Sequence, residues 1–259
     1  MKKLLRAVAV TLVFALAFGG ISAAAATAES PLYVLIGDSI AAGTGLISPS
    51  TKSYGAIVAN TNGYRYKNHA VPGYTSANLL ALLSDATVSK DLKAADIISI
   101  SIGGNDFFLG INPMMIASGM LADNYSGFDS IVAKTSANFA AIIKKVRALN
   151  PKAAVLVQTV YNPRSDILTE EIYQQAVNRL NKMIRDYLVK NPGSYAIVDV
   201  ASAFAGHSEY INLDLTHPNA SGHAAIARLV LAKLKAMGLG TKTEPVVKAS
   251  SLFNLGELS

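Results

Sequence analysis

Ser39 ends a short apolar run, Val34-Leu35-Ile36-Gly37-Asp38-Ser39, and small residues follow it (Ala41, Ala42, Gly43). An apolar run stopped by glycine describes a buried strand ending in a tight turn that lifts the serine to the edge of a sheet. A serine so placed is a candidate nucleophile, or simply a turn or helix N-cap residue. Nucleophilic serine needs a base, usually histidine, and that base needs a carboxylate to orient it. The chain has four histidines: His69, His207, His217 and His223. Asp214 and His217 stand three apart, so a helical turn would bring them face to face. The alternative for that pair is the capping of a turn. His69 and His207 lack an acid at this spacing, and His223 falls on the first turn of the last helix. Acyl chemistry also needs donors for an oxyanion. Gly73 could offer a backbone N–H and Asn105 its side-chain amide; a type II turn after Pro72 and an Asx turn are their plainer readings.

These residues need a frame. Apolar runs at 32–36, 96–102, 153–160 and 195–200 have the length and β-rich composition of buried strands, and Tyr64-Arg65-Tyr66-Lys67 alternates with period two. Helical stripes lie between them. Phe139, Ile142, Ile143, Val146 and Leu149 share a face that ends at Asn150-Pro151. A second stripe runs from Tyr173 to Leu188, with Thr169 as its N-cap and Glu170 and Glu171 in the first turn. A third spans Ile226 to Met237, with Gly238 at its C-terminus. Alternating strands and helices predict an α/β fold of one domain, a five-stranded parallel sheet with helices on both faces. Ligands bind at the carboxyl ends of such strands. The candidate residues all follow strand ends or, for Asp214 and His217, precede the last helix.

Gly37-Asp38-Ser39, Gly73, Gly103-Gly104-Asn105-Asp106 and Asp214-Leu215-Thr216-His217 resemble, in order and spacing, the four motif blocks of the SGNH (GDSL) hydrolases. The resemblance covers about residues 32–237, with Ile40 where the family name has leucine. It implies a flavodoxin-like three-layer α/β/α sandwich, with Ser39 as nucleophile, His217 as base and Asp214 orienting it. It further implies an oxyanion hole from the Ser39 and Gly73 N–H groups and the Asn105 amide, and two-step acyl transfer without metal or other cofactor.

Other chemistries fit less well. Gly-x-Ser-x-Gly, the elbow of α/β-hydrolases, is absent from the chain. A two-metal phosphoesterase needs converging histidines and carboxylates, and no histidine closely follows Asp38 or Asn105. Gly43-Thr44-Gly45 opens like a dinucleotide fingerprint, but Ser48 replaces the third glycine. The expected substrate is a small-molecule or lipid acyl ester. The alternatives are an acetylated carbohydrate, a thioester, or a non-catalytic binding protein on the same fold. Ile40, Phe107, Phe108 and Leu215 are candidate pocket residues. The apolar, Met-rich segment from Phe107 to Leu121 reads as an acyl pocket or lid, or else as a buried core helix.

Composition sets the remaining bounds. The chain has 259 residues, 51% hydrophobic and 15% charged, ample for one core. The absence of cysteine excludes disulfides, thiolate metal sites and a cysteine nucleophile. Lys2, Lys3 and Arg6, an apolar stretch from Leu4 to Ile21, and Ala26-Thr27-Ala28 follow the order of a cleavable signal peptide over 1–28. Secretion without a lasting membrane anchor is therefore expected, with the hydrolase domain over 29–239 and a partly ordered tail over 240–259. Removal of 1–28 lowers the formal charge from +6 to +3, and the remaining bases form no run. Nucleic acid is thus not an expected partner.

Overall fold

The computed structural model describes residues 29–164 and 169–248. The signal peptide expected over 1–28 and the end of the tail, 249–259, lie outside them. Five strands appear in chain order: β1 (Leu32–Gly37), β2 (Arg65–Asn68), β3 (Ile97–Ser101), β4 (Ala154–Gln158) and β5 (Tyr195–Val198). All neighbours pair in parallel, in the order β2-β1-β3-β4-β5. Eleven α-helices are described. The first five are α1 (Ser39–Ala42), α2 (Pro49–Lys52), α3 (Tyr54–Asn62), α4 (Ser76–Leu82) and α5 (Ala86–Ala94). After β3 come α6 (Gly104–Gly110), α7 (Pro113–Ala122) and α8 (Phe128–Leu149). Then follow α9 (Glu170–Lys190), α10 (Val200–Phe204) and α11 (Ala220–Ala236).

Period two along β1 divides the core. Val34 and Ile36 face Leu79, Leu92, Phe139 and Val146 of α4, α5 and α8. Tyr33 and Leu35 face Ile57, Val58, Ile226 and Val230 of α3 and α11. Strands buried on both faces give the continuous apolar runs seen in the sequence. A third cluster joins Phe107 of α6, Phe128 and Ile131 of α8, and Ile172, Ala176 and Leu180 of α9. It connects the helices that flank the carboxyl ends of β3 and β4.

Caps explain several boundaries. Asp85 accepts the N–H groups of Thr87 and Val88, and Asn219 those of Ser221 and Gly222. Thr169 stands at the N-cap of α9, but its side chain makes no capping bond. Gly238 lies one residue beyond the C-cap Met237, with φ 72°. The tail is docked as far as it is described: Val246 N–H donates to Thr61 Oγ1 at 2.9 Å, and Asn60 Nδ2 to the Val246 carbonyl at 3.0 Å. No described helix is long and apolar enough to cross a membrane.

Candidate active site

The parallel order 2-1-3-4-5 reverses direction at β1, so the crevice between the loops after β1 and β3 is where a ligand fits. Gly37 makes the turn there. Its φ is 146°, and a Cβ would stand 2.1 Å from the Ser101 carbonyl oxygen, so only glycine fits. Asp38 N–H donates to that same carbonyl at 3.0 Å. The Asp38 carboxyl then caps α1, accepting from Ile40 N–H at 3.1 Å, and takes the Ser101 hydroxyl at 3.1 Å. Capping therefore falls to Asp38 and not to Ser39, the alternative open in the sequence. Ser39 is the first helical residue, 8% exposed, with its N–H among the first-turn amides that have no acceptor within the helix. Burial pushes the Asp38 carboxyl up to about 7, against the lowering effect of the Ile40 and Ser101 hydrogen bonds.

Asp214 and His217 do not lie on a helical turn. Leu215 takes φ 54°, and Asp214 Oδ1 accepts the N–H groups of Thr216 at 3.0 Å and His217 at 2.9 Å. This Asx turn leaves Oδ2 to meet His217 Nδ1 at 2.7 Å. Asp214 thus caps a turn and orients the ring at once through Nδ1. Partial burial would raise the Asp214 carboxyl. The hydrogen bonds from His217 and Thr216 outweigh it and hold the carboxyl below its usual range. Tyr161 anchors the loop by donating its hydroxyl to the Thr216 carbonyl at 2.6 Å.

The other histidines also find partners. His69 Nε2 lies 2.8 Å from Asp91, and His207 Nδ1 2.6 Å from Glu209. Neither pair lines the cavity that holds Ser39. His223 is fully buried in α11, where its Nδ1 accepts Tyr54 N–H at 3.2 Å, and burial lowers it to about 4. Having a partner does not distinguish these rings; position at the cavity does.

Gly73 and Asn105 are brought to one side of the serine. Tyr74 N–H closes a turn onto the Val71 carbonyl at 3.2 Å, with Gly73 at φ 81°. The space beside Gly73 is open: no atom lies within 4 Å of the place a Cβ would take. Asn105 makes no Asx turn. It lies in α6 and donates from Nδ2 to the Tyr74 carbonyl at 2.9 Å, which leaves its second amide hydrogen for a ligand. Asp106 accepts both the N–H and the hydroxyl of Ser76, tying α4 to α6 and fixing the two donor loops together.

Ser39, Gly73, Asn105 and His217 line one cavity of about 380 Å³. Ile40, Phe107 and Phe108 are on its wall, as expected, but Leu215 is not: its left-handed backbone turns it outward, 57% exposed. The apolar far wall comes from Val160, Tyr161 and Pro163 after β4 and from Tyr173, Ala176 and Val177 of α9. Sequence reasoning missed that wall. The α9 stripe was its only trace, and a stripe looks the same whether it faces core or cavity. Among the described residues no group of three or more metal-binding side chains converges.

Ser39, Gly73, Asn105 and His217 thus share one cavity at the carboxyl ends of the parallel strands, at the topological switch point of the sheet. Residues 35–225 match the GDSL-like lipase/acylhydrolase family. The chain belongs to that family, whose members are ester hydrolases. It is similar to the uncharacterized protein YpmR of Bacillus subtilis, at 28% identity over 82% of this chain and 85% of that one. It is also similar to the spore germination lipase LipC of Bacillus licheniformis, at 23% identity over 66% and 76%. Among solved structures, the lipase Lip_vut3 from a goat rumen metagenome superposes with TM-score 0.63 at 23% identity, covering 82% of this chain and 99% of that one. At that identity the likeness concerns the fold.

Proposed function

We propose that the protein is a secreted serine esterase or lipase that cleaves carboxylic esters through Ser39, His217 and Asp214. One observation carries this reading: His217, held by Asp214 at 2.7 Å through Nδ1, turns its other side to the cavity that Ser39 lines. The Ser39 hydroxyl gives its proton to His217 Nε2 as Oγ bonds to the ester carbonyl carbon. The oxyanion takes hydrogen bonds from the N–H groups of Ser39 and Gly73 and from the Asn105 amide. His217 then returns the proton to the departing alcohol, leaving an acyl-serine. Water attacks this ester by the same route and releases the acid. Asp214 stays ionised throughout and stabilises the imidazolium.

The wall of Phe107, Val160, Tyr173 and Val177 favours an acyl chain over an acetylated sugar, because burying methylenes is worth about 0.8 kcal/mol each. Ester series from acetate to long chain, with chelator present throughout, test the reading. Turnover should persist with chelator, rise beyond acetate, and fall about ten-thousandfold or more in Ser39→Ala. Activity that survives Ser39→Ala would overturn the mechanism.

A further inference from the structure

Helix α7 is anomalous. A helix that is apolar all round belongs in a core or in lipid, yet among its ten residues only Gly119 is buried. Its inner side is accounted for: Met115 and Ile116 pack on the cluster around Phe128, and Gly119 admits the Tyr125 ring, which a Cβ would meet at 2.6 Å. Its outer side carries Met114 at 82% exposure, Met120 at 52% and Leu121 at 87%, and α6 adds Phe108 and Leu109. The core-helix expectation for this segment therefore fails, and only its beginning, Phe107 and Phe108, forms pocket wall.

The exposed side is continuous with the cavity. Phe108 lines the cavity and is itself 53% exposed, so it belongs to both. Leu213 and Leu215 are likewise exposed, on the loop that carries His217. Phe108, Leu109, Leu213 and Leu215 thus sit on segments that form the cavity, and Met114, Met120 and Leu121 on the helix that follows the first of them. Charge narrows the partner. No lysine or arginine occurs between Lys93 and Lys134, or between Lys190 and Arg228, while Asp123, Asp129, Glu209 and Asp214 fall within those spans. Arg179, which lies over the Tyr125 and Phe128 rings beneath α7, is paired with Asp129 at 3.6 Å, so these segments offer little to attract an anionic membrane.

We infer that the outer face of α7, with Phe108, Leu109 and Leu213, docks the protein on a lipid surface without net charge and opens the cavity directly onto it. The inference rests on the esterase reading only for what enters the cavity; docking itself needs no turnover. It is therefore tested in the Ser39→Ala protein, by sedimentation with phosphatidylcholine vesicles. Binding should be unchanged by about 1 M salt, where surface electrostatics are screened to a few ångströms. It should weaken about tenfold or more in Met114→Glu/Leu121→Glu, which places two charges in the apolar phase. In the Ser39 parent the same pair should leave hydrolysis of a water-soluble short ester unchanged. Leu213→Glu, on a different element, should weaken binding independently. Equal binding by all variants, binding that requires anionic lipid, or a dimer in solution that these substitutions dissociate would each overturn the inference. If vesicle binding holds but soluble esters are not cleaved, the esterase reading fails alone.

Discussion

The turn that carries Ser39 and the loop that carries His217 are built on opposite plans. Ser39 is fixed by backbone: Gly37 is wedged against Ser101, and Asp38 is buried with all its bonds to β3 and α1. His217 is fixed by a side chain, since a single half-exposed aspartate closes its turn and orients its ring. A nucleophile embedded in sheet packing cannot be displaced without damage to the fold. A base on an exposed loop can be disabled while the fold survives. In the proposed mechanism the two halves of one reaction therefore fail differently.

Gly37→Ala should be the most damaging change on the nucleophile side. With a Cβ 2.1 Å from a carbonyl oxygen and φ at 146°, it should cost about 3 kcal/mol or more and yield little folded protein. A thermal midpoint close to that of the parent would refute the wedge. Asp214→Asn should do the reverse. Its Oδ1 can still close the turn, while the amide opposes the tautomer that His217 needs. Turnover should fall by about a hundred- to ten-thousandfold with the thermal midpoint nearly unchanged. Asn105→Ala should cost about a hundredfold in kcat with little effect on KM, as loss of an oxyanion donor does. A rise in KM alone would make Asn105 a ground-state contact.

The smallest effect is one of pH. Asp38 rises from 3.8 to about 7 on folding, so its contribution to stability is full at low pH and is lost as pH climbs through that window. His223 falls from 6.5 to about 4, so its contribution is present above 6.5 and is lost as pH drops towards 4. Between about pH 4 and 6.5 the two oppose each other. Asp38→Asn keeps the cap and leaves His223 alone, so the urea midpoint should then climb with pH across this range. A flat or falling midpoint would show that His223 is not held neutral by burial.

What the sequence disclosed follows from the same contrast. Strands buried on both faces write themselves as apolar runs, and the turn after β1 shows itself at Gly37, where a Cβ would clash with the Ser101 carbonyl. The edge strand β2 was harder. In β2 only Tyr66 is even partly buried, and period two was its one signal. The aspartate and histidine were visible through their spacing, but the helical turn inferred from it was wrong; three residues span an Asx turn equally well. Partners distant in sequence left no trace. Asp91 beside His69, the Tyr74 carbonyl on Asn105 and the Tyr161 hydroxyl on Thr216 are joined by the fold alone.

Gly45 links the two plans. A Cβ there would meet Asn212 Nδ2 at 2.5 Å and His217 Cβ at 3.5 Å, so the segment after Ser39 touches the loop of His217 directly. Asn212 ties that loop to itself, through its N–H to the His217 carbonyl and its amide to the Pro218 carbonyl. These few bonds at an exposed rim are far weaker than the sheet beneath them, and such rims open by local fluctuation long before global unfolding. Heat should therefore silence the enzyme in two stages. Reversible loss of catalysis comes first, as the 212–218 loop melts and its amides exchange with solvent, and the sheet follows only at a higher temperature.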